Sequence, residues 1–152
     1  MADIDTVVVA TDGSESVSRA VDVALDLADR FDAAVRALYV IDEGDVDSSP
    51  SELRGEFREA LSERGERALE EVAGRTEREV HTAVREGHPA AVIAEYAREH
   101  DADVVATGTR GRHGEHRFLL GSVAERVVRT CPVPVLTVRQ LESGTESAEA
   151  EV

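Results

Sequence analysis

The sequence predicts an α/β domain built on a doubly wound, five-stranded parallel sheet with helices on both faces. Three observations predict it. Short valine-rich runs alternate with longer amphipathic stretches along the chain. Turn and cap residues (Gly, Pro, Asp, Ser) stand where one pattern gives way to the next. At 152 residues and 16.4 kDa the chain suits one domain with a sizeable core.

The elements follow in order. Thr6–Ala10 is a β-branched run of the kind buried on both faces of a parallel sheet. Thr11-Asp12-Gly13-Ser14 then forms a turn carrying helix-cap residues; Asp12-x2-Glu15 has capping-box form, and Ser14 and Ser16 read as capping. Val17, Ala20, Val21, Ala24, Leu27, Ala28 and Phe31 fall on one helical face. Ala34–Ile41 is the second strand, and the acidic stretch Asp42–Ser49 reads as a loop. Ser49-Pro50-Ser51-Glu52 has the form of a capping box with Pro at the first helical position. A long helix follows, with Leu53, Phe57, Leu61, Leu69 and Val72 inward and Gly74 as its stop.

Val80–Arg85 is the third strand, and Gly87-His88-Pro89 opens a helix with Val92, Ile93, Tyr96 and Ala97 on one face. Val104–Thr107 is the fourth strand, and Gly108–Gly121 a loop. Ser122 caps a short helix containing Val123, Val127 and Val128, ended by Pro132 and Pro134 before the fifth strand, Val135–Val138. The domain is expected to span residues 1–141, with 142–152 an acidic disordered tail. Strand–helix–strand repetition demands right-handed crossovers, and ligands then bind beyond the carboxyl ends of the strands. Ala10–Asp12, Val40–Asp42, Arg85–His88 and Thr107–Gly111 are therefore the segments to examine.

Charge narrows the function. Seventeen basic residues against thirty-two acidic ones give −15, which disfavours nucleic acid and anionic membranes as partners. Every basic residue is arginine, a composition that suits a high-salt cytosol; an arginine-biased genome would give the same signature. No apolar run approaches the roughly 20 residues of a membrane-spanning helix, and Met1-Ala2-Asp3 does not open a secretory signal. The single cysteine, Cys131, forms no internal disulfide and fits a reducing compartment, so a cytoplasmic location is expected.

The chemistry concentrates after the fourth strand. Gly108, Gly111, Gly121 and Ser122 form a Gly-x2-Gly-x9-Gly-Ser pattern between a strand and a helix. Glycine lets main-chain N–H groups approach phosphate oxygens without a Cβ in the way. The helix start adds free N–H groups and a dipole worth about 0.3–1 kcal/mol to an anion. Arg110, Arg112 and Arg117 oppose only Glu115, so the loop is basic within an acidic chain. A lysine-dependent phosphate loop is excluded because the chain has no lysine, and Gly108-x2-Gly111 is not a dinucleotide fingerprint.

The chain resembles the universal stress protein (UspA-type) family, ATP-binding branch. Val8-Val9-Ala10-Thr11-Asp12-Gly13-Ser14, the Gly108/Gly111/Gly121-Ser122-Val123 pattern and Cys131–Val138 carry the likeness, which runs from about Asp5 to Val138. The resemblance implies a Rossmann-like sheet of order 3-2-1-4-5 and a homodimer paired through Val135–Val138. It implies that Ala10, Thr11 and Asp12 meet the base and ribose of an adenine nucleotide, ATP, ADP or AMP. Val40 would line the adenine pocket. Thr107, Gly108 and Gly111 would hold ribose and phosphate, and Gly121, Ser122 and Val123 would close over the phosphates. Any Mg²⁺ or Mn²⁺ would be held by the phosphates.

Other residues read more plainly. His113, Glu115 and His116 lack the rest of a metal-ligand set, and Cys131 reads as a buried structural thiol. His88 reads as a helix-start residue near the pocket rim, and Asp42, Glu43 and Asp45 as a solvated loop. No catalytic base is identifiable. A stress or signalling module that binds nucleotide and works through unidentified protein partners is therefore favoured. The alternatives are a slow ATP hydrolase or autophosphorylating enzyme, with Asp12 or His116 assisting, and a dimeric scaffold without nucleotide.

Overall fold

Valine-rich strands need a partner layer on each side, and the structure supplies both. In the computed structural model, residues 3–109 and 120–141 are described. Five parallel strands, β1 (Thr6–Ala10), β2 (Ala34–Asp42), β3 (Val80–Gly87), β4 (Val104–Gly108) and β5 (Val135–Val138), lie in the order β3-β2-β1-β4-β5. The helices are α1 (Ser18–Phe31), α2 (Glu43–Asp47), α3 (Arg54–Gly74), α4 (Pro89–Glu99) and α5 (Ser122–Thr130).

The twofold alternation of strand side chains divides the core. Val7, Val9, Val35, Ala37, Tyr39 and Ile41 pack with α1 and α3 on one face. Val8, Ala10, Leu38 and Val105 pack with α4 and Val127 of α5 on the other. At the foot of the sheet, Asp103 Oδ2 accepts from the N–H groups of Asp5 and Thr6 at 2.8 and 3.0 Å, locking β1 beside β4. The chain order therefore reverses between β1 and β4, and their carboxyl ends part there.

Helix ends are closed by the backbone. Past α1, Ala33 N–H bonds to Ala28 O and Asp32 N–H to Asp29 O; past α4, Ala102 bonds to Ala97 and Asp101 to Arg98. These are Schellman closures, with Asp32 and Asp101 at φ 53° and 51° where glycine is usual. Gly65 of α3 lies against Tyr39 of β2: a Cβ there would meet the ring at 2.6 Å.

Several local expectations are corrected. Asp42–Ser49 is not irregular: Asp42 Oδ1 accepts from Gly44 N–H at 2.9 Å, Val46 is buried, and α2 results. Arg54 closes its far end by donating to Asp47 O at 2.9 Å. The Ser49 capping box does not form, because Ser49 Oγ donates to Val46 O at 2.6 Å and Pro50 precedes a 3-10 turn, Ser51–Leu53. Phe31 and Leu53, expected inside, are 46% and 47% exposed; Phe31 is the last residue of α1 and Leu53 ends the turn before α3. Phe57 packs at the core margin, while Leu61, Leu69 and Val72 are buried. The expected tail, 142–152, lies outside the described residues.

Candidate functional site

The end of β1 turns on its own polar groups. Thr11 stays nearly buried and its N–H reaches across to Leu38 O of β2 at 2.9 Å. Gly13 adopts φ +78°, a left-handed conformation that strains any side chain, and its N–H donates to Thr11 Oγ1 at 3.1 Å. Asp12 Oδ1 accepts from Ser14 N–H at 2.9 Å and Ser14 Oγ at 2.6 Å. Asp12 is thus the pivot of an Asx turn. It does not cap α1, which begins after a 3-10 turn, Glu15–Val17, with no side-chain cap. The expected capping by Ser14 is corrected likewise, since its hydroxyl is spent on Asp12. Asp12 Oδ2 has no partner among the described residues.

The end of β4 is closed by one short bond. Thr107 and Gly108 are buried, and Thr109 N–H donates to Val138 O at 3.3 Å. Thr109 O then accepts from Gly121 N–H at 2.6 Å, so the two ends of the intervening loop meet. Glu125 N–H bonds to Gly121 O, which makes Gly121 the residue before α5 and corrects the expectation that Ser122 caps it. Among the described residues no side chain caps this helix. The N–H groups of Ser122, Val123 and Ala124 therefore lack intrahelical partners at the carboxyl end of β4. Ser122 and Val123 are exposed there.

β2 supplies the third wall. The register ends at Ala10↔Leu38, two residues before Val40. Val40 is half-buried on the α4–α5 face, packed against the Leu38–Val105 cluster. Arg85 is directed to α4, pairing with Glu99 at 2.9 Å and lying 4.9 Å from the Tyr96 ring centroid. That hydrogen bond from Arg85 holds the Glu99 carboxyl below the usual carboxylate range. His88 immediately precedes α4 and is exposed.

Ala10 thus ends β1, and Thr11 and Asp12 follow it, beside Thr107 and Gly108 of the neighbouring β4. Gly121, Ser122 and Val123 join β4 through Thr109, and Val40 lies near the end of β2 on the other side of β1. Gly111, with Arg110, Arg112, His113, Glu115, His116 and Arg117, lies outside the described residues. Thr109 fell within the segment Thr107–Gly111 but was assigned no contact, yet its carbonyl accepts from Gly121 N–H. Nothing in a lone threonine between Gly108 and Arg110 announces a carbonyl acceptor. Cys131 ends α5 half-buried against the second core cluster, less enclosed than expected. Asp42 is occupied in capping α2, and among the described residues no group of three His, Cys, Asp or Glu side chains could hold a metal ion.

Comparison with known proteins agrees with this architecture. The sequence profile described as the Universal stress protein family matches residues 3–139. A universal stress protein of Methanocaldococcus jannaschii is 41% identical over 138 residues, 88% of this chain and 81% of that protein. Among solved structures, the universal stress protein UspA from Lactobacillus plantarum superposes with TM-score 0.75 at 28% identity, covering 91% of this chain and 100% of that one. A universal stress protein solved in complex with cAMP superposes with TM-score 0.67 at 26% identity, covering 92% and 100%. With the family profile running from before β1 to past β5 and the sheet order 3-2-1-4-5 in place, the chain belongs to the universal stress protein family.

Proposed function

We propose that this protein binds an adenine nucleotide, ATP, ADP or AMP, at the parting of β1 and β4, and serves as a stress-response or signalling module. The Gly121–Thr109 bond carries the reading, because it holds the uncapped start of α5 at the end of β4. Three orphan N–H groups suit phosphate oxygens, and the helix dipole favours their charge by about 0.3–1 kcal/mol. Thr107 and Gly108 end β4 next to that helix start, on the side of ribose and phosphate, and Asp12 Oδ2 is available to a ribose hydroxyl. Ala10 and Thr11 border the base and ribose, and Val40 offers an apolar wall to adenine. Gly111 and the arginines beside it complete the phosphate loop. The relative solved with cAMP supports an adenine-bearing ligand.

The residues fit a nucleotide whose metal ion, Mg²⁺ or Mn²⁺, is carried by its phosphates, since the described site offers only the Asp12 carboxylate. We further propose a homodimer paired through β5, which forms one edge of the sheet. The domain is taken as 1–141, with 142–152 as an acidic tail. No helix among the described residues is long and apolar enough to cross a membrane, which accords with a cytoplasmic location. The −15 charge carried on carboxylates and arginine accords with a salt-rich, halophilic cytosol.

Titration calorimetry with ATP in molar KCl tests the reading. A micromolar Kd, about −8 kcal/mol, is expected. No heat of binding at millimolar ATP, ADP and AMP would overturn it.

A further inference from the structure

The Asx turn that presents Asp12 lies against α3 at Gly13. A shallow crevice of about 20 Å³ borders it, with Thr11, Gly13 and Ser14 on one side and Ala68, Glu71 and Arg75 on the other. Two features bridge it. Gly13 approaches α3 so closely that a Cβ would stand 3.3 Å from the Ala68 methyl. Arg75, the residue after α3, spans to α1: Nη1 donates to Ser18 O at 3.1 Å and Asp22 Oδ1 at 2.9 Å, and Nη2 donates to Glu71 Oε1 at 2.7 Å. Its side chain is only 26% exposed.

Ser18 is the first residue of α1, joined to Ser14 by a single 3-10 turn. The turn at Thr11–Ser14 therefore has two anchors. One is β2, through Thr11 N–H on Leu38 O. The other is the start of α1, which the Arg75 guanidinium ties to α3. A planar fork of five donors can hold a carbonyl and two carboxylates at once; an ammonium on a flexible stem holds the same set less rigidly.

We propose that Arg75 is a positioning residue for the candidate site: it locks the start of α1 to α3 and thereby fixes the loop that presents Asp12, with Ala68 as the stop beneath Gly13. The consequence for binding rests on the adenine-nucleotide reading, whereas the positioning itself is measurable without ligand.

The test joins amide hydrogen exchange by NMR on ligand-free protein to ATP calorimetry, on wild type, Arg75→Met, Arg75→Lys and Asp22→Asn. In Arg75→Met the amides of Gly13 and Ser14 should exchange at least about tenfold faster, with β2 amides unchanged, the mark of local opening. Arg75→Lys should fall between Met and wild type. Asp22→Asn, which removes the charge of one limb but leaves an oxygen able to accept, should accelerate the same two amides less and serves if Arg75→Met does not fold. ATP affinity should drop several-fold in Arg75→Met but little further when Asp12→Asn is already present, because both act through one loop.

Unchanged exchange at Gly13 and Ser14, or uniform acceleration across the sheet, would overturn the positioning role. So would a loss of affinity that adds fully to that of Asp12→Asn. If wild type binds no nucleotide, the functional reading fails by itself, and the exchange data still decide the positioning.

Discussion

Substituting Gly65 by alanine sets a helix-forming gain against a packing loss of known location. In an exposed helix interior the change should stabilise by about 1 kcal/mol. Here the new Cβ would stand 2.6, 2.9 and 3.0 Å from Cδ1, Cγ and Cε1 of Tyr39. Comfortable carbon contact begins near 3.5 Å, so roughly 1 Å of separation must be found. The Tyr39 ring is 2% exposed and enclosed by the first core cluster, so it cannot swing aside. The helix must therefore back away, loosening Leu61, Ala68, Leu69 and Val72 together. Overpacking of this kind costs about 1–3 kcal/mol, which outweighs the propensity gain at most of that range. The expected net is a destabilisation of about 0–2 kcal/mol, or a Tm lowered by up to about 8 °C for a chain of this size. Thermal unfolding by circular dichroism in molar KCl reads it. Gly74→Ala is the control: a Cβ at that position meets nothing within 4 Å. It should be neutral or raise Tm. If Gly65→Ala proves as stable as Gly74→Ala, α3 does not rest on Tyr39 as described.

Further outcomes follow from the same contacts. Asp101→Gly should stabilise by about 0.5–1 kcal/mol, since it relieves a left-handed residue and removes a negative charge from the end of α4; urea unfolding measures it. Glu99 should titrate below the ordinary carboxylate range by NMR and return towards it in Arg85→Met. A carboxyl depressed in the folded state contributes stability above its unfolded pKa and loses it as pH falls through the folded one. The wild type should thus lose more stability than Arg85→Met on acidification through that window. With −15 charge, Tm should rise from 0.1 to 1 M KCl as the Debye length shrinks from about 10 to 3 Å; a flat Tm would remove the salt-adaptation argument.

Much of the fold was legible because its signals are local. Val7–Val9 and Val104–Val105 are buried on both sides and read as strands without help from neighbours. Pro89 behind His88 marked the start of α4. Sheet order came from family resemblance, since crossover handedness alone leaves several orders open. What escaped was decided by competition between side-chain acceptors. Asp12, Ser49 and Ser122 all carry cap chemistry, yet Asp12 bonds to Ser14, Ser49 to Val46 O, and Gly121 takes the cap position of α5. The short α2 was hidden by its acidity, although its one apolar side chain, Val46, is what roots it in the core. The site was legible as a set of strand ends, but the Thr109–Gly121 closure depends on two residues twelve apart and leaves no pattern in sequence.

The claim that matters most is that nucleotide phosphates settle on the main chain between β4 and α5. Amide chemical-shift mapping during an ATP titration of isotope-labelled protein tests it directly. Shifts should concentrate at Thr11–Gly13, Gly108–Thr109 and Gly121–Ala124, with β3 silent. Saturable shifts centred on β3 and α4, with the Gly108 and Ser122 amides unmoved, would contradict it.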